Sequence, residues 1–181
     1  MRKVAILLLL LIGICGSAQN SHRFEILAGG GLDVISYEYD TELPGDSPRM
    51  NRGRFVVGGA YRYCFDNGLG LGAKYMYSPP YRKFSGSTQY QAHTLTFSGE
   101  YRFRREKEVS PFVGLGAGPQ YVYARNPSWE NWDGTRMGVL WEAGVEIRSK
   151  VRVSLGHYNH GANFWDGTYE PFMFLTLGWL F

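Results

Sequence analysis

The ten residues Phe172 to Phe181, FMFLTLGWLF, most constrain what this chain can become. Met173, Leu175, Leu177, Trp179 and Phe181 fall on one face of a strand. No charge interrupts the run, and the sequence ends on an aromatic. Chain termini are usually polar and frayed, so a soluble fold has little use for such an ending. A strand that faces lipid needs the opposite, an apolar outer face with an aromatic at the interface. Leu177, Trp179 and Phe181 therefore read as the terminal signal of a membrane barrel.

The other end reads as an export leader. Arg2 and Lys3 supply the charged region, Val4 to Ile14 the apolar region, and Gly16-Ser17-Ala18 the small residues a signal peptidase inspects. Cleavage after Ala18 gives a signal peptide over residues 1–18 and a barrel domain over 19–181. Cys15 raises a lipoprotein reading, but Ile14 stands where that signal wants Gly or Ala. The apolar run is shorter than the ~20 residues of a spanning helix, and no later stretch is long and apolar enough. Membrane insertion must then use a closed barrel, the other structure that bonds every backbone group inside lipid. Only Cys64 remains after cleavage, which excludes an intramolecular disulfide. The net charge of +3, with no long run of one sign, argues against a nucleic-acid partner. The 24 glycines and 13 tyrosines suit closely approaching strands with interfacial aromatics.

Alternation divides the mature chain into eight strands. They are expected at Arg23–Tyr37, Arg54–Phe65, Leu69–Tyr77, Gln91–Phe103, Pro111–Tyr123, Arg136–Ile147, Val151–His160 and Phe172–Phe181. Most are near the roughly 9–11 residues of a tilted spanning strand. Asp66-Asn67-Gly68, Arg104 to Ser110 and Arg148-Ser149-Lys150 are short links. Longer segments at about 40–53, 78–90, 124–135 and 161–171 alternate with them, and both chain ends fall on the short-turn side. Short periplasmic turns opposite longer extracellular loops are an outer-membrane feature.

One strand face carries Arg23, Glu25, Arg62, Lys74, Glu100, Arg102, Glu142, Glu146 and Arg152, five positive and four negative groups. Each would cost up to ~2–4 kcal/mol against lipid near the midplane, so this face points inward. An eight-stranded barrel has an interior that side chains fill, so these charges are expected to pair in a plugged lumen beside small glycines. The soluble alternative, a secreted lipocalin-like carrier, has the same alternation turned inside out.

Eight alternating strands, the loop asymmetry and Phe181 resemble the small outer-membrane β-barrels of the OmpA-transmembrane-domain, OmpX and opacity-protein type, often labelled porin-family. The resemblance implies an all-β, eight-stranded antiparallel transmembrane up-and-down β-barrel in the outer membrane of a Gram-negative bacterium. Its implied partners are outer-membrane lipid and lipopolysaccharide, the barrel-assembly machinery, and an extracellular protein or glycan ligand. It implies no cofactor. Phe172, Phe174 and Leu180 depart from the pattern, being apolar on the inward face; a bulge or an extracellular rim position would account for Phe172 and Phe174.

The densest polar cluster is His157 to Asn163, HYNHGAN, followed by Asp166 and Glu170. It resembles the lipid A 3-O-deacylase family, which implies His157 as base and Glu170 as carboxylate of a lipid ester hydrolase. Asn159 stands at that family's serine position and His160 at its asparagine. An amide is no acyl-accepting nucleophile, and Ser154 lies on the opposite strand face. A polar rim at the outer interface is the simpler reading. A metal site from His157, His160 and Asp166 is disfavoured by spacing, and His22 and His93 read as isolated strand-end residues. Gly114, Gly116 and Gly118 recur at period two inside a strand, with no phosphate-loop context. Pro79 to Phe84 is basic and aromatic; Asn126 to Asp133 is acidic and Trp-rich. Trp129, Trp132 and Trp165 belong to an upper aromatic girdle or to contact loops. The expected function is surface contact or envelope integrity, with a divalent-free, cofactor-free barrel; a narrow conduit is disfavoured by the packed lumen.

Overall fold

The structure, a computed structural model, describes residues 21–33, 53–82, 89–104, 107–125, 132–160 and 172–181. The expected leader, residues 1–18, lies outside them. The described chain forms β1 (Ser21–Asp33), β2 (Gly53–Cys64), β3 (Leu69–Arg82), β4 (Gln89–Arg102), β5 (Val109–Arg125), β6 (Trp132–Ile147), β7 (Val151–His160) and β8 (Phe172–Leu180). Each strand pairs antiparallel with its sequence neighbours, and β8 returns to β1 to close an eight-stranded barrel.

The short connections are built for tight reversal. At Arg148-Ser149 both residues have positive φ, 50° and 54°, and the Lys150 amide donates to the Ile147 carbonyl at 3.0 Å. That is the left-handed pair a two-residue hairpin requires. Gly68 supplies the positive φ of 89° in the β2–β3 turn, where the Leu69 amide also donates to Asn67 Oδ1 at 3.0 Å.

At the other end the strands run farther than alternation suggests. β3 continues to Arg82, β4 begins at Gln89, β5 reaches Arg125 and β6 begins at Trp132. Residues 78–82, 89–90, 124–125 and 132–135 of the expected loops thus belong to strands, and 83–88 and 126–131 lie outside the described residues. A register shift between Ser78 and Tyr81 takes up Pro79-Pro80, after which Tyr81 pairs with Tyr90. Prolines cannot donate to a ladder and are accommodated at such irregularities. β1 is described only as far as Asp33, so its expected extension to Tyr37 lies outside the described residues.

The two faces have opposite polarity to a soluble barrel. Ile26, Phe97, Leu115, Met137 and Leu177 face outward and are 65%, 63%, 64%, 62% and 60% exposed. A contiguous apolar band of this kind has no place in water, which inverts the lipocalin-like alternative. Aromatics flank the band on the outer face: Phe24, Tyr61, Tyr63 and Phe65 toward the short turns, Tyr75, Tyr77 and Tyr121 toward the long ones.

The inner face has two layers. Read from the short-turn ends, charges come first; beyond them Leu27, Val56, Met76, Leu140, Tyr158 and Phe174 form an apolar cluster. Phe174 and Leu180, which depart from the polar inner pattern, both point inward, 1% and 5% exposed. The registers of β8 with β1 and β7 run without a shift, so no bulge turns Phe174 outward. Phe174 instead fills the upper interior, and Gly156 on β7 leaves it room: a Cβ there would meet the Phe174 ring.

Gly156→Val is expected to destabilise the barrel by about 1–3 kcal/mol through this collision. Gly99→Ala, whose new Cβ would lie 3.6 Å from the outward Leu71 side chain, should change stability by less than about 0.5 kcal/mol. Urea unfolding in lipid vesicles, with boiled and unboiled gel mobility to score folding, checks both; equal stabilities would contradict the inward packing of Phe174.

Candidate functional site

Strand alternation delivers the charges to one interior layer. β1 presents Arg23 and Glu25, β2 Arg62, β3 Lys74, β4 Glu100 and Arg102, β6 Glu142 and Glu146, and β7 Arg152. Arg62 bridges Glu25 at 2.5 Å and Glu100 at 3.0 Å. Arg152 bridges Glu100 at 2.7 Å and Glu146 at 2.8 Å, and its Nε lies 4.0 Å from Glu142. Glu146 Oε2 also accepts from Arg23 and Arg102, each at 2.8 Å. Lys74 reaches Glu142 at 2.7 Å. All nine side chains thus belong to one connected set drawn from six strands.

Arg152 is the hub. Its two terminal nitrogens serve two carboxylates, its guanidinium carbon lies 3.3 Å from the centre of the Phe112 ring, and its side chain is 1% exposed. Phe112 comes from β5, which contributes no charge to the layer. β8 contributes none either, but its Gly178 admits the Glu25 carboxylate, which an added Cβ would strike. At Gly72 and Gly144 an added Cβ would first meet the Tyr61 and Val153 carbonyls, and then the Arg62 side chain and the Phe112 ring. Small residues clear the volume that long charged ones occupy. Lys74 joins this layer to the apolar one, with its ammonium 5.5 Å from the Phe174 ring centre.

The HYNHGAN cluster is not drawn together in the same way. His157 faces outward, half-buried, and its Nδ1 accepts from Trp141 Nε1 at 3.0 Å with the rings 5.5 Å apart. Ser154 faces inward and shares a 2.7 Å hydrogen bond with Thr176. The hydroxyl and the imidazole are therefore on opposite sides of the sheet. Asn159 pairs with Val139 on the outward face, and His160 opposes Gly138 in the ladder. Glu170 and Asp166 lie outside the described residues, as do Trp129 and Trp165; Trp132 opens β6. Among the described residues no group of three His, Cys, Asp or Glu could hold a metal.

His22 and His93 are not the isolated residues the sequence suggests. His22 Nδ1 lies 2.7 Å from the Tyr61 hydroxyl, and His93 Nδ1 lies 2.7 Å from that of Tyr75. His93 also packs against Tyr77 and Tyr121, and the Tyr121 hydroxyl donates to Asp133 at 3.0 Å. Both histidines are thus tied into the aromatic girdles. Their outward parity, shared with Phe24 and Leu95, is the signal that places them there. Leu177, Trp179 and Phe181 all face outward, 60%, 51% and 67% exposed.

A closed barrel with an apolar exterior, two aromatic girdles and ion pairs inside is a transmembrane β-barrel of the outer-membrane type. The chain belongs to the outer membrane protein beta-barrel domain family, whose model matches residues 5–164, and it resides in the outer membrane of a Gram-negative cell. Neisserial surface protein A has the same fold at 14% identity and a TM-score of 0.64, covering 88% of this chain and 95% of that one. The N-terminal β-barrel domain of Pseudomonas aeruginosa OprF is similar at 16% identity and a TM-score of 0.55, covering 90% and 100%. Ail of Yersinia pestis, solved with the heparin analogue sucrose octasulfate, is similar at 14% identity and a TM-score of 0.54, covering 88% and 99%. The sequence matches no curated protein.

Arg152→Met would leave the Glu100 and Glu146 carboxylates without their shared guanidinium. Removing one partner of a buried pair costs about 3–5 kcal/mol, and a loss of that size is expected in urea unfolding. The double variant Lys74→Met/Glu142→Leu should lose less than the sum of its single variants, because it leaves neither charge alone. Additive losses would mean that Lys74 and Glu142 do not act as a pair.

Proposed function

We propose that this protein is a non-conducting outer-membrane barrel whose plugged lumen serves as a rigid mount for surface contact by its extracellular segments. One observation carries the reading: nine inward charges from six strands join in a single set, beside an apolar cluster that occupies the same interior. An interior of this width holds side chains rather than a water column. In the sequence Pro79 to Phe84, Arg82 and Lys83 stand among aromatics, and β3 runs to Arg82 at the long-loop end. Ail, of the same fold, has been solved with a heparin analogue, which makes a sulfated glycan the first contact to try. Lipopolysaccharide would surround the upper girdle, and Leu177, Trp179 and Phe181 would meet the barrel-assembly machinery during insertion.

Purified barrel in planar bilayers is expected to give no discrete conductance steps; reproducible steps from the unaltered protein would overturn the plugged lumen. Cells displaying the protein should adhere to heparin-coated surfaces. Replacing residues 83–88 and 126–131 with Gly-Ser segments should abolish adhesion and leave the heat-dependent gel shift intact. Adhesion that survives both replacements would remove surface contact through these segments.

A further inference from the structure

The outer face is not uniformly convex. At Gly99 on β4 the missing side chain leaves an open groove of about 700 Å³, walled by Leu69, Leu71, Tyr101, Val113 and Leu115. Its lining is almost wholly carbon. It lies in the half of the barrel nearest the short turns, since Leu69 begins β3 and Tyr101 is the penultimate residue of β4. Two residues beyond Tyr101 the chain enters the β4–β5 turn, where Arg104 and Lys107 are exposed.

That turn is a built feature. The Arg104 carbonyl accepts from the Lys107 amide at 2.9 Å and from the buried Ser110 hydroxyl at 3.0 Å, and the same hydroxyl reaches the Lys107 carbonyl at 3.3 Å. Arg104 itself is held at a φ of 49°, a left-handed conformation unfavourable for a non-glycine residue. The adjoining turn is bonded to it, with the Arg148 amide donating to the Glu108 carbonyl at 2.6 Å, and adds the exposed Lys150. Arg104, Lys107 and Lys150 are thus exposed at the short-turn end that the groove also adjoins, while the exposed Glu108 is engaged by Arg148 at 3.5 Å.

We propose that this groove and turn form a binding site for one anionic phospholipid of the periplasmic leaflet. An acyl chain lies along Gly99 between Leu71 and Leu115, and the headgroup phosphate meets Arg104 and Lys107. The groove is continuous with the lipid-facing surface, which makes a lipid chain its natural occupant. The cations select the headgroup, as basic residues near a bilayer surface do for anionic lipids.

The test uses barrel refolded into vesicles of equal parts phosphatidylglycerol and phosphatidylcholine, then released gently for native mass spectrometry. The unaltered protein should retain one phospholipid, with phosphatidylglycerol favoured at least about fivefold over phosphatidylcholine at low salt. Gly99→Leu fills the groove and should remove the retained lipid of either type. Arg104→Gln/Lys107→Gln should keep a lipid but lose the headgroup preference. Each variant is first scored for folding by the heat-dependent gel shift, and a variant that fails to fold is replaced by Gly99→Val or by Arg104→Gln alone. Equal retention and equal preference in all folded forms would overturn the proposal. So would a Gly99→Cys barrel that cross-links to a second copy in the same vesicles, because the groove would then be a protein contact.

Discussion

Everything in this molecule follows from the seam where the last strand meets the first. Inside hydrocarbon a sheet edge would leave a row of unbonded amides and carbonyls, each costing several kcal/mol. β8 removes that edge by pairing with β1 from Glu25–Leu180 to Asp33–Phe172. The Phe181 amide donates to the Phe24 carbonyl at 2.9 Å, extending the seam past the last strand residue. The uncharged terminal run is thus explained from both sides. Its outward residues face lipid, and its inward ones, Thr176, Gly178 and Leu180, fit around β1 and the interior layer.

Closure also decides how the interior must be filled. A barrel with apolar residues on both faces would tolerate a slip of one residue in any pairing, because the exchange of faces would change little. Here a slip would carry Arg62, Lys74 or Arg152 into lipid at up to about 2–4 kcal/mol each. The ion pairs need not add much net stability, since desolvation offsets most of their attraction. Their stronger effect is to make one register far better than its neighbours. The glycines belong to the same device. At Gly178 the Glu25 carboxylate occupies the space a side chain would take; at Gly72 and Gly144 the neighbouring backbone carbonyls of Tyr61 and Val153 do so first, with the Arg62 side chain and the Phe112 ring close behind.

Most of this architecture is legible in the sequence, because a strand between lipid and a polar interior must alternate. The strand count, the short turns and the inward side of each charged residue all follow from period two. Alternation fails where its cause fails. Above the membrane both faces of a strand meet polar surroundings, so Ala124 and Arg125 read as loop although β5 includes them. Pro79-Pro80 reads as a stop, yet a register shift carries the strand past it. The apolar cluster was visible only as scattered exceptions. Leu27, Val56, Met76, Leu140 and Phe174 each sit on the polar side of their strand, and only the register shows that they occur at one level. The same is true of Phe112 beneath Arg152 and of Tyr61 beside His22. Parity assigns a face; pairing across strands assigns a neighbour.

The order of the two interior layers has its own physical logic. A charge network is least costly where it has water on one side, and the charged layer lies toward the open ends of the short turns. Cys64, Arg102 and Glu146 come within the last few residues of their strands there. An apolar cluster has no such need and can occupy the far side, where Tyr158 spends its hydroxyl on the Gly118 carbonyl at 2.6 Å. The junction between them falls on Lys74. Its ammonium must keep a carboxylate on one side and tolerate an aromatic on the other, and it has both: Glu142 at 2.7 Å and the Phe174 ring at 5.5 Å. A ring face is attractive to a desolvated cation by about 1–2 kcal/mol, so Phe174 is the apolar residue best suited to that position. The aromatic that breaks the polar pattern of β8 thereby completes the electrostatics of β3.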